Sequence, residues 1–125
     1  MLFYINLGYI IREGVINMPR SPEDSIRSSA WSKKLGFSSH AMDRMGERMI
    51  TIDQVYDCIL YGTNIETQYH GRDVKVVFQQ ATAGIPGYYA VVADNYPFPE
   101  VVTVCSTMDE VWEFIGGILI RRTSK

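Results

Sequence analysis

Near Asn64 the hydrophobic period of the chain changes, and few folds accommodate such a change. Before it, Ile52, Val55, Tyr56 and Ile59 recur at helical spacing. After it, Ile65, Thr67 and Tyr69 alternate with Glu66, Gln68 and His70. Val74, Val76 and Phe78 then alternate with Lys75, Val77 and Gln79 beyond a turn at Gly71. Gly84, Pro86 and Gly87 punctuate the next turn, Tyr88 to Asp94 reads as a third strand, and Val101 to Cys105 as a fourth. Asn95-Tyr96-Pro97-Phe98-Pro99 between them is an exposed aromatic loop. Consecutive strands with short turns pair antiparallel, and their apolar face needs a cover. The sequence therefore predicts an α+β domain: two N-terminal helices packed on a three- to four-stranded antiparallel sheet, with a C-terminal helix.

The helix signals are local. Ser38 or Ser39 offers an N-cap for a helix running to Met49. Thr51-Ile52-Asp53-Gln54 is a capping box for the second helix, which Gly62 stops. Thr107-Met108-Asp109-Glu110 has the same form, and predicts a helix through Val111, Trp112, Phe114 and Ile115 ended by Gly116-Gly117. Residues 1–36 read as an N-terminal strand or arm with a Ser- and Pro-rich linker, including a helical turn around Glu23 to Ala30 capped by Ser21 or Pro22. Residues 37–120 read as a single domain.

With 125 residues, 46% apolar and 21% charged, the chain has the composition of one ordinary globular domain. The formal charge of -2 argues against a simple electrostatic nucleic-acid binder. The bases are locally enriched, however: Arg20, Arg27, Lys33, Lys34, Arg44 and Arg48 outnumber Glu23, Asp24, Asp43 and Glu47 in that stretch. Cys58 and Cys105 lie in apolar runs outside any C-x-x-C pair, which points to buried free thiols in a reducing, cytoplasmic setting. The opening MLFYINLGYII lacks a basic leader region and is too short to span a bilayer, so a strand or sticky extension is expected, with Met18 as an alternative start. His40 and His70 are the only histidines, and no H-E-x-x-H, Gly-rich phosphate loop or catalytic carboxylate pair occurs. Neither a metal nor a cofactor is expected.

Titratable chemistry concentrates in the helix from Ser39 to Met49. At about 100° per residue, Met42, Met45 and Met49 share one side and are expected to face the core. His40, Arg44 and Glu47 share the other, flanked by Arg48 and Asp43. An ordinary surface helix also shows such a charged face. It would serve catalysis if His40 exchanges a proton near neutrality and Arg44 grips a phosphate through its forked guanidinium. His70 and Arg72 occupy a hairpin turn, Lys75 could point into an open sheet groove, and Tyr88 or Tyr89 could stack a base. One of that adjacent pair must face the core.

Ser39-His40-Ala41, Arg44-Met45, Glu47-Arg48 and Ile50, followed by the Thr51-initiated helix with Val55 and Gly62 and by Val101-Val102-Thr103-Val104, resemble the domain-of-unknown-function family numbered 4258. That family is similar to the metal-independent ribonuclease toxins of the RelE-like, barnase, colicin-nuclease and EndoU folds, in which one or two helices pack on a four-stranded antiparallel sheet. The resemblance implies RNA cleavage by attack of the ribose 2′-hydroxyl on the adjacent phosphate. His40 would be the acid/base, Arg44 or Arg48 the phosphate ligand, and Thr103 a contributor from the last strand. Arg72, Lys75 and Tyr89 are the expected substrate contacts. RNA and a cognate antitoxin are the expected partners. The alternative is a non-catalytic protein-binding module or degenerate toxin-like domain, with a homodimer formed through residues 1–17 by strand addition.

Overall fold

The computed structural model describes residues 21–123. The expected strand or dimer contact of residues 1–17 lies outside them. Helices α1 (Pro22–Trp31), α2 (Ser39–Arg48) and α3 (Ile52–Tyr61) are joined by the short strand β1 (Gly36–Phe37) and short turns. Strands β2 (Thr63–His70), β3 (Asp73–Gln79), β4 (Tyr88–Ala93) and β5 (Glu100–Ser106) follow, then β6 (Trp112–Ile115) and β7 (Ile118–Arg121).

The segment read as an arm forms a full helix. The Ser21 hydroxyl accepts from the Asp24 amide at 3.1 Å, and Pro22 occupies the first turn, where its missing N–H costs nothing. Ile26 and Ala30 are buried in the common core. Between them Arg27 donates to the carbonyls of Ile59, Leu60 and Gly62 at 2.9–3.0 Å. Glu23 neutralises it, and its guanidinium lies 5.0 Å from the Phe78 ring centre. The last carbonyls of a helix have no partner within the helix. Arg27 satisfies two of those of α3 and the carbonyl of Gly62 after it, which locks α1 onto this helix end.

The main sheet has five strands in the order β1-β5-β4-β3-β2. It is mixed, because β1 pairs with β5 in parallel, and this corrects the expected three- to four-stranded antiparallel sheet. The reason is non-local: the chain passes alongside β5 between α1 and α2, and two residues carry no readable alternation. The other pairs are antiparallel. Val76, Phe78, Ala90, Val92, Val101 and Val104 meet Ile26, Ala41, Met45, Val55 and Ile59 in one core.

The expected C-terminal helix is absent; β6 and β7 form a hairpin instead. Gly116 and Gly117 have φ of 61° and 87°, the two positive values that a tight two-residue hairpin turn demands. A helical turn does begin at Met108, which accepts from the Val111 and Trp112 amides, but it goes no further. The hairpin covers the face of the sheet opposite the helices. Trp112 stacks edge-on with Tyr89 at 5.1 Å between ring centres, and Leu119 is buried. The buried Gln79 amide donates to the Gly117 carbonyl and accepts from the Leu119 amide. Both of its polar ends are thereby satisfied. Arg121 grips Glu66 of β2 with two nitrogens, at 2.7 and 3.0 Å.

Candidate functional site

Helix α2 is fixed to β5 at both ends. At its start, the Ser38 hydroxyl accepts from the Ala41 amide at 2.9 Å and donates to the Val102 carbonyl at 3.0 Å. Ser38 is thus both N-cap and tether. At its end, Arg48 donates to Ser106 Oγ at 3.0 Å and to the Val104 carbonyl at 3.3 Å. Arg48 thus ties the helix end to the sheet through two of its donors.

These tethers set the rotation of the helix. Its buried direction runs through Ala41 and Met45, with Arg44 and Arg48 half-covered beside them. Met42 and Met49 are exposed, Met49 by 88%, which corrects the expectation that all three methionines face the core. A helical wheel fixes angles between residues, but the docking direction depends on which groups β5 offers. Here its carbonyls draw in the arginine side. Met49 also ends the helix in a left-handed conformation at φ 58°, which turns its side chain away.

His40 lies exposed in the first turn of α2. Arg44 pairs with Glu47 at 2.9 Å, with side chains 42% and 58% exposed. Such an exposed pair is worth roughly 0–1 kcal/mol, so Glu47 restrains Arg44 only weakly.

Strand register shows which other residues lie at the same end of the sheet as this helix start. Gly36 and Phe37 sit opposite Glu100 and Val101, at the beginning of β5. At the same end of the sheet β4 finishes at Ala93, opposite Lys75, and the Asp94 amide bonds the Val74 carbonyl. There too β2 finishes at His70, opposite Asp73, so the turn at Gly71 and Arg72 lies alongside. From β5 to β2 is three strand spacings, about 15 Å. His40, Arg72, Lys75, His70 and the loop from Asn95 to Pro99 thus share one end of the molecule.

They do not share one face. Val76 points to the helices, so Lys75, its neighbour, points to the opposite side of the sheet. Thr103 likewise lies opposite the helices, its hydroxyl 3.9 Å from Cys105 Sγ, and does not join His40. Tyr89 belongs to the far end, paired with Cys105 and Gln79 and packed on Trp112. Burial there pushes its phenol above the ordinary value, against the opposing pull of the indole. Tyr88 is the member of the pair that packs against the helical core.

The loop completes this end. Tyr96 is 97% exposed and Phe98 49%. Its closing residue Pro99 accepts from the Gly36 amide at 2.8 Å, and the Ser38 amide donates to Val101 at 3.0 Å, so the loop is tied to the segment that caps α2. The sequence marked this loop as exposed but could not place it beside His40, because that depends on the parallel pairing of β1.

Among the described residues no group of three His, Cys, Asp or Glu side chains is placed to hold a metal ion, and no helix is long and apolar enough to cross a membrane. Cys58 is buried and donates to the Phe78 carbonyl at 3.1 Å; burial pushes its thiol up to about 12, so it keeps its proton at neutrality. No curated protein and no solved structure matches the chain. A family model does, over residues 37–113, from β1 into β6. The match takes in α2, α3 and the four long strands and covers more than half of the sequence, so this chain belongs to the family described as Domain of unknown function (DUF4258).

Proposed function

We propose that the domain is a metal-independent endoribonuclease of toxin-like type, with its site at the α2 start and the adjoining end of the sheet. What supports this reading is that His40, Arg72 and Lys75, from three separate elements, lie toward the same end of the sheet, though on different faces of it. The Ser39-to-Ile50 stretch resembles the family matched over residues 37–113, and the resemblance expected between that family and ribonuclease toxins motivates the reading. His40 takes the proton from a ribose 2′-hydroxyl as that oxygen bonds to the adjacent phosphorus. The bond from phosphorus to the 5′-oxygen breaks, and the departing oxygen takes a proton from water. The products are a 2′,3′-cyclic phosphate and a 5′-hydroxyl. Arg44, released from Glu47, holds the phosphate; Arg72 and Lys75 hold flanking ones. Division of acid and base roles between His40 and His70 is not part of the scheme, because three strand spacings are too far for one phosphate.

The test is incubation of purified protein with RNA in excess EDTA. Cyclic-phosphate ends should appear, and His40→Ala should slow their formation by about 100-fold, the scale of general acid–base catalysis. Its thermal midpoint should stay unchanged, since His40 is exposed. RNA left whole by a folded wild-type sample defeats the proposal. The second reading, a protein-binding module, then takes precedence. It is favoured by the exposed Met42, Met49 and Ile52 on α2 and the start of α3.

A further inference from the structure

We propose that this end of the sheet takes single-stranded RNA specifically, with an unpaired base stacked on the Tyr96 ring and Phe98 beside it; the inference deepens the ribonuclease reading and rests on it for the identity of the strand. His40 stands in the helix layer, while Lys75 rises from the opposite face of the sheet. A single ligand that touches both must pass over the sheet end between them. What occupies that end is the loop from β4 to β5, with an almost fully exposed tyrosine at its tip.

A ring so exposed contributes little to the fold. It costs the protein solvation of an apolar surface and returns no burial. Every nucleobase has a face that matches it. The loop is not loosely attached either, because the Gly36–Pro99 and Ser38–Val101 backbone bonds fix its base to the α2 cap. A base on Tyr96 would therefore hold its sugar-phosphate in a set relation to His40.

The charge around the loop selects stacking over simple attraction. Asp94 and Glu100 flank it, Asp73 lies on the next strand, and the chain as a whole carries -2. Arg72 and Lys75 do not outnumber these acids. A duplex, read mainly through its phosphates and its shape, finds no positive surface here. A single strand can splay a base onto an aromatic ring and needs only a few phosphate contacts.

The experiment measures fluorescence anisotropy of a short labelled 2′-deoxyoligonucleotide, single-stranded and as its duplex, in EDTA. The probe lacks the 2′-hydroxyl, so it reports binding without cleavage. Wild type should bind the single strand more tightly than the duplex. Tyr96→Ala should weaken single-strand binding about tenfold, within the range expected for one stacked base, while Tyr96→Phe should retain it. Equal binding by Tyr96→Ala and wild type overturns the inference, as does equal binding of duplex and single strand. A protein that binds the deoxy strand through Tyr96 but leaves RNA whole keeps this inference and loses the catalytic one. A protein that cleaves RNA with Tyr96→Ala at full binding does the reverse.

Discussion

Gly62 has no room for a side chain. It links α3 to β2, and a Cβ built there would collide with the carbonyl oxygens of Gln79 and Cys58. Its φ of -77° is open to any residue, so close approach, not backbone freedom, requires glycine. Gly62→Ala should therefore cost about 3 kcal/mol, at the upper end of overpacking effects, measured as a lower urea midpoint. Gly46, with open space around it, should accept alanine with a gain of up to about 1 kcal/mol from helix propensity. If the two substitutions behave alike, the close-approach argument fails. From sequence Gly62 is legible only as a helix stop. The carbonyls that exclude a methyl belong to a residue seventeen positions on and to the preceding helix, and nothing local announces them. Arg48 is similar. Its place on the polar side of a wheel suggested phosphate; nothing local announces the Ser106 hydroxyl and Val104 carbonyl it also binds.

Elements were legible where their signals were local. Ser38, Thr51 and Gln54 act as the caps their side chains predict, and β2 to β5 follow the period-two pattern. The C-terminal hairpin was not read because a good capping box preceded it. The competing signal was present: Gly116-Gly117 between two short apolar runs, the strongest kind of hairpin mark. The uncovered second face of the sheet then decided between them, since a hairpin can lay Trp112 and Leu119 onto it together. Its anchor to β2 is testable by pH. The Arg121 guanidinium holds the Glu66 carboxyl below its ordinary 4.5, so the folded state binds fewer protons than the unfolded chain in acid. This contribution is complete above the unfolded value and fades as pH falls through the lower folded one. Wild type should melt a few degrees above Glu66→Gln near neutrality, a small shift because the pair is largely in water. The two midpoints should converge as pH falls through the lowered folded-state value of Glu66. A gap that stays constant with pH would mean the ion pair does not anchor the hairpin.

At the scale of the whole molecule, the described helices and the hairpin pack on opposite faces of the sheet. Stability must pass through strands that are buried on both sides, with Val76 and Phe78 under the helices and Val77 and Gln79 under the hairpin. Adjacent residues of β3 thus belong to opposite layers, and neither layer can loosen without exposing part of the same strand. Helix α1 is part of this arrangement although it precedes the family match, because Ile26 fills the core and Arg27 caps α3. Ile26→Ala should cost about 2–5 kcal/mol, as large-to-small core changes do. The loss should register equally at the far layer. In a Trp31→Phe background, the fluorescence of Trp112 reports the hairpin, while far-ultraviolet dichroism reports the helices. Both should move to the same lower denaturant midpoint, as one cooperative unit requires. Separate transitions, with Trp112 unaffected by Ile26→Ala, would divide the molecule into a helical layer and an independent hairpin. In that case Lys75 and His40 would still share one unit through β3 and α2, and the hairpin would add nothing to holding them in place.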